Sequence, residues 1–404
     1  MAKQKTNFYT FFFTWAIIFL VITMLIWPEK TYQGALYGLE LWANVLVPSL
    51  LPFFIITEIM FNLGIIRFLG ILLEPLMRPL FNLPGEASFV LAMGFSSGFP
   101  MGAVLTKRLY ELKGCSRCEA ERLIAFTNNA SPLFLMSAVA IGIFRQPSLG
   151  PLLLISHYLA NLLIGILLGL VSRFSPRETS FTFKHQRLLL PAEPFSQLFS
   201  TAIKNGINTI CLIGGFVISY AVLIKILETT SLLHLCAYPF SLLLQVLHFD
   251  PSTAEALATG FWEMTLGINE LSLTMVPLQE KIILTSILLG WCGLSIHSQV
   301  SGVLNKTGIK TTFFHQTRIL HSILAGLISY VFIQKGNWFS RLSLPALTPP
   351  TTSTLLSTTF LFNLFYLTKI FILFFLILFS LAGTIFLSSK LLKLIKLQKK
   401  NLPN

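Results

Sequence analysis

Apolar residues fall along this chain in runs of about twenty, the length a helix needs to cross the hydrocarbon core of a bilayer, with polar connectors between them. The run from Tyr9 to Trp27 is unbroken, follows Lys3 and Lys5, and has no small-residue cleavage site behind it. It predicts a retained first span with the N-terminus in the cytoplasm. A short interfacial piece holding Glu29, Lys30 and Trp42 leads to a second crossing segment, Asn44 to Gly64, kinked at Pro48 and Pro52 and carrying Glu58 inside it. Such a carboxylate is either a functional group or a helix-end residue near the interface. From Ile65 to Leu83, Arg67, Glu74 and Arg78 sit among Leu and Phe, the pattern of a helix lying in the interface.

The next two apolar stretches are interrupted in a way that a lipid-facing helix would not tolerate. In EASFVLAMGFSSGFPMGAVLT the interruption is Gly94, Ser96, Ser97, Gly98, Pro100 and Gly102; in ERLIAFTNNASPLFLMSAVAIGIF it is Thr127, Asn128, Asn129, Ser131 and Pro132. Proline removes a helical donor and glycine weakens the ladder, so backbone groups are released at a depth where they persist only beside protein or a water-filled cavity. Each arm around the first break has about eight residues, roughly 12 Å against a core of roughly 30 Å, which predicts a re-entrant hairpin over residues 86–106. Residues 123–144 then form a broken full span. Leu149 to Val171 forms an ordinary one carrying His157 and Asn161, with His157 read as a buried, hydrogen-bonded histidine. One break alone fits a kinked structural helix as well as a solute site; two adjacent breaks rich in hydroxyls and amides favour the site.

After a polar connector, residues 172–195, with Arg173, Arg177, Lys184 and Arg187, the order repeats. Phe199 to Leu227 predicts a long span, Leu232 to Phe249 an interfacial segment, residues 252–273 a second hairpin around GFWEMTLG, and residues 282–304 a span broken at Gly293 to Gln299. Gly94-Phe95 and Gly260-Phe261 fall at corresponding places. Arg318 to Ile333 and Phe360 to Leu387 supply further spans, joined by a Ser/Thr/Pro-rich loop and followed by a basic tail with Lys390, Lys393, Lys396, Lys399 and Lys400. Between Ile65 and Arg122 stand Arg67, Arg78, Lys107, Arg108, Lys113, Arg117 and Arg122. Between Ile226 and Glu280 the charges are all acidic: Glu228, Asp250, Glu255, Glu263, Glu270 and Glu280. Basic loops stay inside, so the repeats are expected to be inverted and the C-terminal tail cytoplasmic. The predicted fold is an all-α polytopic membrane protein of two inverted repeats with re-entrant hairpins and broken transmembrane helices. Its divisions are residues 1–43, 44–171, 172–195, 196–334 and 335–404, and its architecture is that of alternating-access carriers.

Composition narrows the class further. With 54% hydrophobic and 11% charged residues and a mean hydropathy of +0.75, an ordinary soluble globule is excluded. A net charge of +13 would suggest nucleic acid in a soluble domain, but here the cations gather in loops and at the ends, where they set orientation. The five cysteines, odd in number and mostly inside apolar runs, imply no disulfide framework, and the lone Cys115/Cys118 pair lacks the second ligand pair that zinc would want. There is no HExxH and no acidic metal cluster, so an enzyme is disfavoured and no catalytic residue, metal or cofactor is assigned.

The run LFNLPGEASFVLAMGFSSGFPMGAVLTKRLYE with ERLIAFTNNASPLF, and GFWEMTLGINEL and GWCGLSIHSQV in the second half, closely resembles the YlbJ (SpoVV) family of sporulation integral membrane proteins over most of the chain. The wider group carries the nucleoside-recognition (Gate) domain and is similar in layout to concentrative nucleoside transporters. The resemblance implies a role in spore formation, residence in the outer forespore membrane, and movement of dipicolinic acid out of the mother cell. The expected ligand-facing residues are Ser96 and Ser97 at the first tip and Asn128, Asn129 and Ser131 at the neighbouring break. Their counterparts are Thr259 and Glu263 at the second tip and Ser295, His297, Ser298 and Gln299 at the second break. Half-helix N-termini would add donors for a flat aromatic dianion, without a dedicated intramembrane arginine. Phe95, Phe99, Phe261 and Trp262 would stack on a ring or simply pack, and Glu263 is read chiefly as a cap for half-helix N–H groups. A nucleoside would suit the same amides and hydroxyls. A membrane scaffold for spore cortex assembly is the alternative of another class, and a homo-oligomer is compatible with either.

Overall fold

The structure, a computed structural model, describes residues 2–63, 65–173 and 194–334, with Ser380 and Thr384. The expected span Phe360 to Leu387 and most of the connector 172–195, Lys184 included, lie outside them. Among the described residues every element is helical. The first part of the chain supplies α1 (Ala2–Ile26), α2 (Pro28–Leu41), α3 (Val47–Asn62), α4 (Ile65–Phe81), α5 (Ala87–Ser97), α6 (Met101–Glu111), α7 (Arg117–Thr127) and α8 (Leu149–Ser172). The second supplies α9 (Phe195–Thr229), α10 (Leu232–Val246), α11 (Ala254–Trp262), α12 (Met264–Leu273), α13 (Leu278–Trp291), α14 (Gly293–Val303) and α15 (Thr312–Gln334). Two segments, Trp42–Leu46 and Phe134–Ile143, are wound as π-helix. Among the described residues four helices or helix pairs, α8, α9, α13 with α14, and α15, are long and apolar enough to cross a membrane.

These elements form two compact units, one of Met1–Ile59 with Glu193–Val303 and the other of Met60–Ala192 with Leu304–Asn404. Each unit therefore takes helices from both parts of the chain. In the first, α2 runs through the Trp42–Leu46 π-turn directly into α3, and this continuous run lies antiparallel along the 35-residue α9. Small residues allow the approach. A Cβ on Gly34 would lie 3.0 Å from Val222 Cα, one on Gly38 2.8 Å from Ile218 Cα, and one on Gly206 3.3 Å from Leu51 and Ile55. Trp42 Nε1 donates to Ile210 O at 2.8 Å, and Asn205 Nδ2 donates to Glu58 Oε1 at 3.0 Å, so the Glu58 carboxylate is engaged by α9.

The Tyr9 to Trp27 run lies, up to Ile26, within the single helix α1, and the chain bends by 105° where α1 meets the helix that starts at Pro28. Trp27 occupies the bend and Pro28 opens the next helix, the position at which a missing N–H is harmless. The helix expected from Asn44 is continuous with the helical run that begins at Pro28. The expected interfacial piece with Glu29, Lys30 and Trp42 belongs to this run, and its Gly34 and Gly38 are buried against α9.

In the second unit α8 and α15 pack antiparallel, with the His157 and His321 rings 4.5 Å apart and Asn161 bonded to Arg318. One end of this unit is tied by charge. Arg78 reaches Glu74 at 2.7 Å and Glu119 at 3.4 Å, Arg122 donates to Asn82 O at 2.9 Å, and Arg173 donates to the Arg78 and Pro79 carbonyls. Burial lowers the proton affinity of the Arg173 guanidinium. Ser116 and Glu119 form a reciprocal capping box that starts α7. No disulfide joins Cys115 to Cys118, and burial pushes the Cys115 thiol up, away from the reactive thiolate.

The packing of α2 on α9 makes a test. Gly38→Leu inserts a branched side chain where the Ile218 backbone stands and is expected to cost about 1–3 kcal/mol, seen as a lower melting temperature of the detergent-purified protein. A Cβ on Gly215 would meet nothing within 4 Å, so Leu should be accepted there without loss. Equal melting temperatures for the two variants would contradict the antiparallel pair.

Candidate functional site

Each unit contains a helical hairpin crossed by a broken helix, and the expected ligand residues gather there in two groups. The hairpin arms are 11 residues each in α5 and α6, and 9 and 10 residues in α11 and α12. At about 1.5 Å per residue none exceeds roughly 17 Å, so no arm spans the core alone.

In the second unit the hairpin tip is Gly98, Phe99 and Pro100, with Gly98 at φ +91°, a conformation that glycine adopts without strain. Two other glycines bring the hairpin onto the end of α7. A Cβ on Gly94 would lie 2.3 Å from the Thr127 carbonyl oxygen and one on Gly102 2.6 Å from it. A helix cut off at Thr127 leaves its last carbonyls without intrahelical donors. Here side chains supply them. Asn128 Nδ2 donates to Ile124 O at 2.8 Å and Asn129 Nδ2 to Phe126 O at 3.1 Å. The Ala125 carbonyl accepts from Thr317 Oγ1 at 3.0 Å and from Arg318 Nη2 at 2.5 Å. Arg318 Nη1 donates to Asn128 O at 2.9 Å, while Nη2 also donates to Asn161 Oδ1 at 2.9 Å.

The other halves of the two amides are used as well. Asn128 Oδ1 accepts from Ala103 N in the first turn of α6 at 2.8 Å, and Asn129 Oδ1 accepts from Asn161 Nδ2. Past the break, Ala130 N donates to His157 Nε2 at 3.1 Å, and Tyr158 Oη bonds the Phe95 and Ala130 carbonyls at 2.5 and 2.8 Å. Ser131 Oγ accepts from Phe134 N at 3.1 Å and so starts the π-wound segment. Ser96 is exposed and bonds back to Ala92 O at 2.9 Å. Ser97, 2% exposed, is the expected residue of this group whose hydroxyl meets no protein partner. The Phe95 ring stacks on Tyr158, with centroids 5.0 Å apart.

The first unit builds its break differently. α11 ends at Trp262, and Glu263 caps α12, its Oε2 accepting from Leu266 N at 2.9 Å and its Oε1 from Thr265 Oγ1 at 3.2 Å. The switch from α13 to α14 is made by Cys292 and Gly293 at φ +66° and +74°, and a Cβ on Gly293 would lie 2.9 Å from Met264 N and 3.1 Å from Trp262 O. The hairpin break and the helix break therefore touch in this unit too. His297 Nε2 lies 3.1 Å from the Trp291 carbonyl, its ring 4.4 Å from the indole, and Phe261 stacks on Trp291 at 5.2 Å. Ser298 Oγ pairs with Tyr220 Oη of α9 at 2.6 Å. Thr259 is fully buried on α11. Buried polar atoms without protein partners lie in this unit at Trp262 Nε1, Thr285 Oγ1, Ser295 Oγ and Gln299 Oε1, as Ser97 Oγ and His157 Nδ1 do in the other.

The sequence pattern does not place Arg318, His321, Asn161, Tyr158, Thr285 or Trp291 at the breaks. Arg318 is fully buried on α15 beside the first break, and its donors go to the Ala125 and Asn128 carbonyls, Asn161 and His321. Hydropathy makes it the first residue of a span, yet Phe313 and Phe314 precede it. Those two aromatics, more than a turn before the cation and separated from it by His315, Gln316 and Thr317, are the signal in the sequence.

Asn128→Leu would remove the side-chain donor to the Ile124 carbonyl and the tie to the Ala103 N–H, which keeps only its turn bond to Pro100 O. At about 1–3 kcal/mol for each buried group left unmade, it is expected to lower the melting temperature of the purified protein, whereas Ser96→Ala should not. Identical melting by the two variants would show that the amide does not hold the break.

With this geometry established, the similarities of the chain can be placed on it. Residues 43–152 match the Gate family, described as nucleoside recognition; they hold the first hairpin and its crossing helix. Over 77% of its length the chain is 36% identical to the sporulation integral membrane protein YlbJ of Bacillus subtilis (strain 168), spanning 79% of that protein. It is 24% identical to an uncharacterized protein of Alkalihalophilus pseudofirmus, over 62% of its own length and 58% of the relative's. No solved structure matches it significantly. The chain is a multi-helical integral membrane protein that belongs to the YlbJ family of sporulation integral membrane proteins.

Proposed function

We propose that this protein is a transporter that moves a small organic anion, dipicolinate, out of the mother-cell cytoplasm across the outer forespore membrane by alternating access. The observation that carries the reading is the set of buried donors without protein partners in the unit that holds the second break: Trp262 Nε1, Thr285 Oγ1 and Ser295 Oγ. Left unmade, such groups cost about 1–3 kcal/mol each, a cost that a polar solute bound here would offset. The indole and the hydroxyls donate to carboxylate oxygens. Glu263, with both oxygens engaged at the start of α12, serves the hairpin, which leaves solute recognition to its neutral neighbours.

Inversion of the repeats, inferred from loop charge, is supported by helix direction. An axis in the membrane plane reverses a helix, whereas an axis along the normal preserves its direction. Both pairs of corresponding helices, the α2–α3 run with α9 and α8 with α15, pack antiparallel within their own units. A dianion leaving a negative cytoplasm is favoured by about 4.6 kcal/mol per 100 mV, so no coupling ion is required.

A second reading, nucleoside transport, is favoured by the Gate match over residues 43–152 and by the acceptor at Gln299 Oε1, which suits a base or ribose donor. Flux of radiolabelled dipicolinate and of uridine into proteoliposomes, under a potassium-valinomycin potential with pH and sodium equal across the membrane, separates the readings. Dipicolinate is expected to move in response to the potential while uridine does not, with Glu263→Gln retaining most of the flux and Gln299→Leu losing about tenfold. Uridine flux alone would replace the substrate. Flux of neither would leave a scaffold of the spore-forming membrane.

A further inference from the structure

We infer that Arg318 is the positioning residue of the first break, fixing the bend after α7 and, through Asn128, the hairpin arm α6 that crosses it. Its guanidinium donates to main-chain carbonyls on both sides of the cut: Ala125 O, in the last turn of α7, at 2.5 Å and Asn128 O, beyond it, at 2.9 Å. One planar group therefore sets both the spacing and the angle of the bend. The C-terminal end of a helix carries partial negative charge, which a cation placed there offsets. Arg318 also lies over the Phe314 ring, 5.3 Å from its centroid, and this contact steadies the side chain on its own helix.

The contacts extend outward from that group in two directions. Arginine only donates, so His321 Nδ1, 3.1 Å from Nη1, is the acceptor, and the remaining ring proton on Nε2 points to His157 O at 2.9 Å. This ties α15 to α8. In the other direction Asn128, whose carbonyl Arg318 holds, accepts the Ala103 N–H at 2.8 Å and so fixes the start of α6; Asn161, also held, reaches Asn129. Lysine would keep the charge but presents it as a point, and one ammonium cannot span Ala125 O, Asn128 O and Asn161 Oδ1 in the geometry of the fork. Resting on the transport reading, the inference is that Arg318 makes the first hairpin and its break a single rigid piece that moves as one during exchange. It does not touch the solute.

Arg318→Lys and Arg318→Met in the full chain test this, with Gly38→Leu as a control destabilised elsewhere. Backbone hydrogen exchange in residues 100–106 and 123–134 is expected to rise about tenfold in both Arg318 variants and to stay unchanged in the control. Maximal dipicolinate flux per folded protein should fall about tenfold in Arg318→Lys while the half-saturating concentration stays within about twofold, a split that loss of stability alone would not produce. Unchanged exchange in 100–106, or full recovery of flux by lysine, would overturn the inference. If the parent chain carries no dipicolinate, the transport reading fails by itself and the exchange comparison still decides the role of Arg318.

Discussion

A helix that stops at bilayer depth leaves carbonyls that neither lipid nor its own next turn can satisfy, and everything around the first break follows from how those carbonyls are met. Thr127 is the last residue of α7, and the groups that serve its end come from three places in the chain: the break itself through Asn128 and Asn129, α15 through Thr317 and Arg318, and α8 through Asn161. The hairpin is locked to the same point because Gly94 and Gly102 have no side chain to keep it from the Thr127 carbonyl. Remove these partners and the carbonyls at the end of α7 are left unmade at bilayer depth.

The second break answers the same requirement with other means and leaves something over. Glu263 caps α12 and His297 meets the Trp291 carbonyl, but Trp262, Thr285, Ser295 and Gln299 each bury a polar atom that the protein does not pair. In the first break both expected asparagines spend their donors and acceptors inside the protein, and Ser97 alone among the expected residues there keeps a buried hydroxyl unmatched. The two breaks thus share a backbone plan while differing in chemistry: the first is paired largely within the protein, and it is the second that the proposed function uses for recognition. This division is what connects the geometry to the proposed transport.

Much of the plan is legible in the residues. Gly98 and Pro100, the TNNASP run and the Gly293 region mark the breaks, and arm length against membrane thickness requires hairpins rather than spans. The long helix beginning at Pro28 is not legible, because Glu29, Lys30 and Glu40 dilute its hydropathy, and the value of Gly34 and Gly38 lies in a partner almost two hundred residues away. Arg318 escapes a sequence reading for a related reason. A cation near the start of an apolar run looks like an interfacial anchor until the carbonyls that surround it are known, and those belong to residues 125 and 128.

The proposed carrier depends most on its two halves facing opposite ways in the membrane, since that is what would let paired breaks open to each side in turn. In a background without native cysteines, a cysteine in place of Lys113, in the loop after α6, and another in place of Ser252, before α11, should react with an impermeant thiol reagent from opposite sides of an oriented vesicle. Reaction of both from the same side would contradict the account.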